Sequence, residues 1–124
     1  MSKPKILIVD DEQSFILALA TFLIGHGYQV LTAYDATYAM RWANKEEVDL
    51  VVLDLGLPAG GGLFVLENLR RLPKTIALPV IISTADVTEG IKDKVMKMGA
   101  SDFIPKPYNL EKLLEKIQRF VPAK

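Results

Sequence analysis

The side chains best suited to chemistry in this sequence stand at the ends of short apolar runs. Asp10 and Asp11 follow KILIV, Asp54 closes LVVLD, Ser83 and Thr84 close VIIST, and Lys106 follows FIP. Adjacent carboxylates repel one another and resist desolvation, so the run Asp10–Asp11–Glu12 after an apolar stretch needs an explanation. Either these acids are solvated and complement the dipole of a following helix, or a cation sits among them. Oxygen-only ligands select a hard cation, and a few carboxylates that leave room for water suit Mg2+ better than a full calcium cage. Lys106 adds a mobile point charge fitted to a phosphoryl oxygen, and the Thr84 hydroxyl can hydrogen-bond another. A carboxylate among a metal ion, an ammonium and a hydroxyl can act as the nucleophile in phosphoryl transfer and become an aspartyl phosphate.

These groups meet only if the elements carrying them converge. Short apolar runs at Ile6–Val9, Tyr28–Leu31, Leu50–Leu53, Pro79–Ile82 and Phe103–Ile104 predict five strands. Between them lie stretches of helical period. The first spans about Glu12 to Ile24, with Phe15, Leu19, Phe22 and Leu23 inward; the second carries Ala36, Ala39, Met40 and Ala43, and the third Leu63, Leu66 and Leu69. The fourth carries Val87, Ile91, Val95 and Met98, and the fifth Leu110, Leu113, Leu114 and Ile117. Gly25 and Gly27 stop the first helix, and Gly99 suits a left-handed residue after the fourth. Asn109 is placed to cap the fifth helix, and Asp86 with Glu89 has capping-box spacing for the fourth. Five strands alternating with five helices predict an α/β fold, a parallel sheet covered on both faces. Ligands of such sheets sit beyond the carboxyl ends of the strands, where Asp10, Asp11, Asp54, Thr84 and Lys106 all fall.

Composition narrows the alternatives. A chain of 124 residues predicts one domain, residues 1–124. Its 15 basic and 15 acidic residues cancel, so bulk charge gives no support for direct nucleic-acid binding. Without cysteine there is no thiolate zinc site or disulfide framework. His26 is the only histidine, which removes histidine-rich metal sites, and its place between two glycines predicts an exposed turn. No apolar run nears the roughly 20 residues of a membrane span; the expectation is a cytoplasmic protein with no membrane partner.

The chain resembles, over essentially its whole length, the response-regulator receiver domains of bacterial two-component signalling. The resemblance rests on VDDE after the first strand, LDLGLPAGGG around the third, LPVIISTAD at the fourth and GASDFIPKP at the fifth. It implies a single doubly wound, flavodoxin-like sheet of strand order 2-1-3-4-5. It further implies Asp54 as phosphoacceptor, and Asp10 and Asp11 as the acidic pair holding Mg2+, with Asp11 the direct ligand. Gly56 would lend its backbone carbonyl to the metal, Thr84 would be the switch hydroxyl, and Lys106 the motif lysine, joined to Pro107 by a cis bond. Phe103 takes the place of the switch aromatic, a signal that must be read through ring packing because it lacks a hydroxyl.

The partners implied are a sensor histidine kinase or a histidine phosphotransfer protein, and an output partner on the face of helix 4, strand 5 and helix 5. The activity implied is that of a phosphoacceptor catalysing only its own transfer and dephosphorylation, not of a substrate-turning enzyme. Gly56 and Asp86 fall where the family tunes phosphoryl lifetime. Gly61–Gly62 replace a common Asp-Gly, and the three-glycine run predicts a more mobile loop.

Other readings fit individual residues. Asp54 alone reads as a turn residue before Gly56 and Pro58, Lys106 as a surface lysine, and Gly60–Gly62 lack the Lys-Ser/Thr of a Walker loop. A flavodoxin-like redox protein needs a hydroxyl-rich loop where this chain has acids. A small Mg2+-dependent phosphohydrolase needs a second acid where Gly56 stands. A receiver fold used purely for docking, without phosphorylation, is the remaining alternative. The end at RFVPAK, directly after the last helix, fits either a stand-alone regulator or a piece of a longer one.

Overall fold

The computed structural model describes residues 2–123. Five parallel strands, β1 (Lys5–Val9), β2 (Gln29–Ala33), β3 (Leu50–Leu53), β4 (Val80–Thr84) and β5 (Asp102–Pro105), form one sheet of order β2-β1-β3-β4-β5. Helices α1 (Gln13–Gly25), α2 (Ala36–Lys45), α3 (Gly61–Leu69), α4 (Ile91–Lys97) and α5 (Leu110–Phe120) alternate with them. The inner strands β1, β3 and β4 are buried almost throughout without alternation because both faces are covered, while the edge strands β2 and β5 are partly exposed. Ile6, Ile8, Leu50, Val52, Ile81 and Ile104 face α1 and α5. Leu7, Val9, Val51, Leu53, Val80, Ile82 and Phe103 face α2, α3 and α4.

The strand order reverses between β1 and β3, which are paired from Ile6–Leu50 to Val9–Leu53. The ladder continues one step past each strand end that carries a predicted site residue. Asp10 donates its amide to the Ala33 carbonyl (3.1 Å), Asp54 to Val9 (2.9 Å) and Lys106 to Thr84 (2.8 Å). Their backbones are thus held by sheet hydrogen bonds rather than by loops.

Several expectations need adjustment. The second, fourth and fifth strands each extend beyond the apolar run that announced them, through Ala33, Thr84 and Pro105. In α1 the buried residues are Ile16, Leu19 and Leu23, while Phe15 and Phe22 are only partly buried. Helix α4 starts at Ile91, and Val87 is 69% exposed. Asp86 and Glu89 form no capping box: the Asp86 carboxylate accepts from the Thr88 amide at 2.9 Å, and Gly90, at φ +84°, precedes the helix. A local turn at Asp86 has displaced the first helical turn, as short acidic side chains tend to do.

Gly61 and Gly62 are likewise not loop residues but the buried first turn of α3. A Cβ on Gly62 would lie 2.5 Å from the Asp54 carbonyl oxygen. Glycine is required there by close packing, not for mobility. Asn109 accepts from the Lys112 amide at 3.0 Å, a regular N-cap. Gly99 is left-handed at φ +109°, and His26 is exposed just after α1.

Candidate functional site

The carboxyl ends of β1, β3 and β5 bring three carboxylates and an ammonium together. One oxygen from each of Asp10, Asp11 and Asp54 fits within a span of 4.8 Å. Lys106 reaches in from the end of β5, its Nζ 2.6 Å from Asp10 Oδ2 and 3.5 Å from Asp54 Oδ2. Local backbone aims the acids: Asp10 Oδ1 accepts from the Glu12 amide and Asp54 Oδ1 from the Gly56 amide, each at 2.9 Å. Gly56 therefore sits at the cluster, two residues beyond the acid it orients. Asp11 is exposed, while Asp10 and Asp54 are both buried.

Three negative groups against one ammonium leave an excess of negative charge in a partly desolvated cleft. Burial raises the Asp10 carboxyl above its usual range, and the Lys106 hydrogen bond and the Glu12 amide offset this only in part. Burial also opposes the Lys106 charge, but the hydrogen bond to Asp10 and the charges of Asp54 and Asp10 outweigh it and hold the ammonium above the ordinary lysine value. A hard divalent cation matches this all-oxygen donor set and its surplus charge.

Thr84 lies at the same rim, buried, with its Oγ1 accepting from the Asp86 amide at 3.1 Å. Among the described residues its hydroxyl makes no hydrogen bond to the acids. Phe103 stands apart from the cleft, 9% exposed, in the apolar cluster that contains Val95 of α4. The Lys106–Pro107 peptide is cis.

Sequence reasoning missed two neighbours of the cleft, Phe15 and Tyr108. Phe15, taken as a core residue, places its ring centroid 4.2 Å from Lys106 Nζ. Tyr108 meets that ring edge-on and shares a 2.6 Å hydrogen bond with Ser83. Ser83 carried the available signal, since a hydroxyl in a fully buried strand needs a polar partner. Nothing in the local pattern named that partner.

The family described as Response regulator receiver domain matches residues 6–118. Among curated relatives, the transcriptional regulatory protein KdpE of Mycobacterium tuberculosis is 35% identical over 116 residues, which is 94% of this chain and 50% of that protein. The chain thus spans about half the length of the curated relatives it matches. Among solved structures, chemotaxis protein CheY4 of Vibrio cholerae superposes with a TM-score of 0.90 at 28% identity, covering 97% of this chain and all of that one. The receiver domain of sensor histidine kinase PA1611 from Pseudomonas aeruginosa superposes with a TM-score of 0.82 at 26% identity, covering 97% and 98% of the two chains. That structure has a magnesium ion coordinated in its active-site cleft. With the five-stranded 2-1-3-4-5 sheet and a family match over nearly its full length, this chain belongs to the response-regulator receiver domains of two-component signalling.

Proposed function

We propose that residues 1–124 form a phosphorylation-activated switch whose acceptor is Asp54. The observation that carries this reading is the Lys106 ammonium, set 2.6 Å from Asp10 and 3.5 Å from Asp54 beside the three clustered carboxylates. The carboxylates of Asp10, Asp11 and Asp54 and the Gly56 carbonyl would hold Mg2+. The exposed Asp11 carboxylate, which forms no hydrogen bond among the described residues, is the freest of them to do so. When bound, the ion neutralises charge on the phosphoryl oxygens.

The donor is the phosphohistidine of a sensor histidine kinase or a histidine phosphotransfer protein. An Asp54 carboxylate oxygen attacks phosphorus, an O–P bond forms, and the P–N bond breaks with its electron pair passing to the imidazole. Lys106, mobile on its long side chain, moves its ammonium from Asp10 toward a phosphoryl oxygen. The new group adds close to two negative charges and three acceptor oxygens. Thr84 gives up its bond from the Asp86 amide, which other amides or water can replace, and turns its hydroxyl to one of those oxygens. Phe103 then follows into the space left beside β4.

These movements remodel the face of α4, β5 and α5; on its β5–α5 side a groove of about 580 Å³ runs past Phe103, Pro105, Lys112, Lys116 and Arg119. That groove supports the β5–α5 part of this face as an output surface for a protein partner. The chain acts in the cytoplasm and turns over no substrate beyond its own phosphoryl group. Direct nucleic-acid binding has no support in its balanced charge. Among the described residues no helix is long and apolar enough to cross a membrane.

Intact mass after incubation with acetyl phosphate tests this reading. One phosphoryl group should be added with Mg2+, little without it, and none in Asp54→Asn. A chain that neither gains mass nor binds beryllium fluoride would instead be a docking module.

A further inference from the structure

Lys106 has a third neighbour besides its two carboxylates. Its Nζ stands over the face of Phe15, 4.2 Å from the ring centroid, within the range of cation–π attraction. The ring is itself braced. Tyr108 meets it edge-to-face, with centroids 6.1 Å apart and planes at 87°. The Tyr108 phenol lies 2.6 Å from the Ser83 hydroxyl, and Ser83 is fully buried on β4 beside Thr84. The phenol stays protonated at neutral pH: burial, with the nearby Asp10 and Asp54 charges, pushes it up to about 12 against the Ser83 hydrogen bond. A leucine at position 15 would fill the same helical position without offering a π face.

A lysine ammonium has three N–H donors. Two of them serve Asp10 and Asp54, at 2.6 and 3.5 Å, and the charge also stands over the Phe15 ring at 4.2 Å. Attraction to a ring face holds the charge without a directional hydrogen bond that must break before it moves. The ammonium can therefore pivot from Asp10 toward a group on Asp54 while remaining over the ring.

We propose that Phe15, braced by Tyr108 and Ser83, is a positioning residue that keeps the Lys106 ammonium at the acceptor and so sets the rate of phosphoryl uptake. This rests on Asp54 being phosphorylated. The test uses the full chain with acetyl phosphate and saturating Mg2+, and reads maximal rate and donor KM separately. Phe15→Leu should lower the maximal rate roughly 3- to 10-fold, the scale of one partly buried cation–π contact, with KM little changed. Phe15→Tyr and Phe15→Trp should retain the rate. Stepwise fluorination of the Phe15 ring, which withdraws charge from its face while preserving its outline, should lower the rate stepwise, and it stays informative if Phe15→Leu folds poorly.

A fluorinated series with a flat rate, or a folded Phe15→Leu chain at the wild-type rate, overturns the proposal. A wild-type chain that is phosphorylated on Asp54 yet indifferent to Phe15 loses only the ring's role. A wild-type chain that takes no phosphoryl group overturns both readings.

Discussion

Gly62→Ala places one methyl group against the backbone that aims Asp54. The added Cβ would lie 2.5 Å from the Asp54 carbonyl oxygen, 2.5 Å from Leu55 Cα and 3.1 Å from the Leu55 carbonyl carbon. None of these atoms is the end of a flexible side chain, so α3 and the β3–α3 connection must separate by about 1 Å to restore ordinary contact. Such overpacking costs about 3 kcal/mol, while alanine's better helix propensity returns about 1. The net loss is about 2 kcal/mol. With an unfolding entropy of about 2.1 cal/mol/K per residue, Tm should fall by about 8 °C.

Gly25→Ala is the matched control. It makes the same change at the last residue of α1, where an added Cβ meets nothing within 4 Å, and should raise stability by about 0.5 kcal/mol. Thermal and urea unfolding by circular dichroism measure both. The folded fraction of Gly62→Ala should also take up phosphate at least ten-fold more slowly, because a displacement of about 1 Å at a reacting group can cost two orders of magnitude in rate. A Gly62→Ala chain as stable as wild type would refute the close-packing argument.

Two further predictions concern charge. Lys106→Met, without divalent cations, should cost about 3 kcal/mol at pH 7, since it leaves Asp10 and Asp54 without their counter-charge. The Lys106 pKa is raised on folding from an ordinary 10.5, so the wild-type advantage should be fully present below pH 10.5 and shrink as pH rises through the folded value. Urea titrations from pH 7 to 11.5 check this, and a gap that widens above pH 10.5 would contradict it. Mg2+ at about one hundred times its Kd should stabilise the wild type by about 2.7 kcal/mol. Asp11→Ala should lose most of that gain while remaining folded, and equal Mg2+ stabilisation of the two chains would remove Asp11 from the metal site.

Strand ends were the most legible part of this protein. Short apolar runs closed by Asp10, Asp54 or Lys106 carry both the sheet and the cleft, because a parallel strand buried on both faces has to become polar where it emerges. The start of α4 was not legible. Asp86 with Glu89 has the spacing of a capping box, yet a side-chain bond to the Thr88 amide competes with the helix over that segment.

Gly62 was misread for a different reason: a glycine needed for its missing Cβ looks, in sequence, like a glycine used for flexibility. Phe15 and Tyr108 are 93 residues apart and meet only through the tertiary fold. No local periodicity distinguishes a ring that faces an ammonium from one that fills a core. The switch roles proposed for Thr84 and Phe103 would lie in a difference between two states, which no local sequence pattern encodes.

The measurement closest to the central claim identifies the atom that receives the phosphoryl group. After incubation with acetyl phosphate and Mg2+, borohydride reduction converts an aspartyl phosphate to homoserine, and tandem mass spectrometry of the digest locates that residue. A receiver built around Lys106 and the three clustered carboxylates should show homoserine at position 54 alone, in a yield that follows the intact-mass adduct. Homoserine at position 10 or 11, or an adduct that leaves position 54 unreduced, would contradict the assignment of Asp54 as the acceptor.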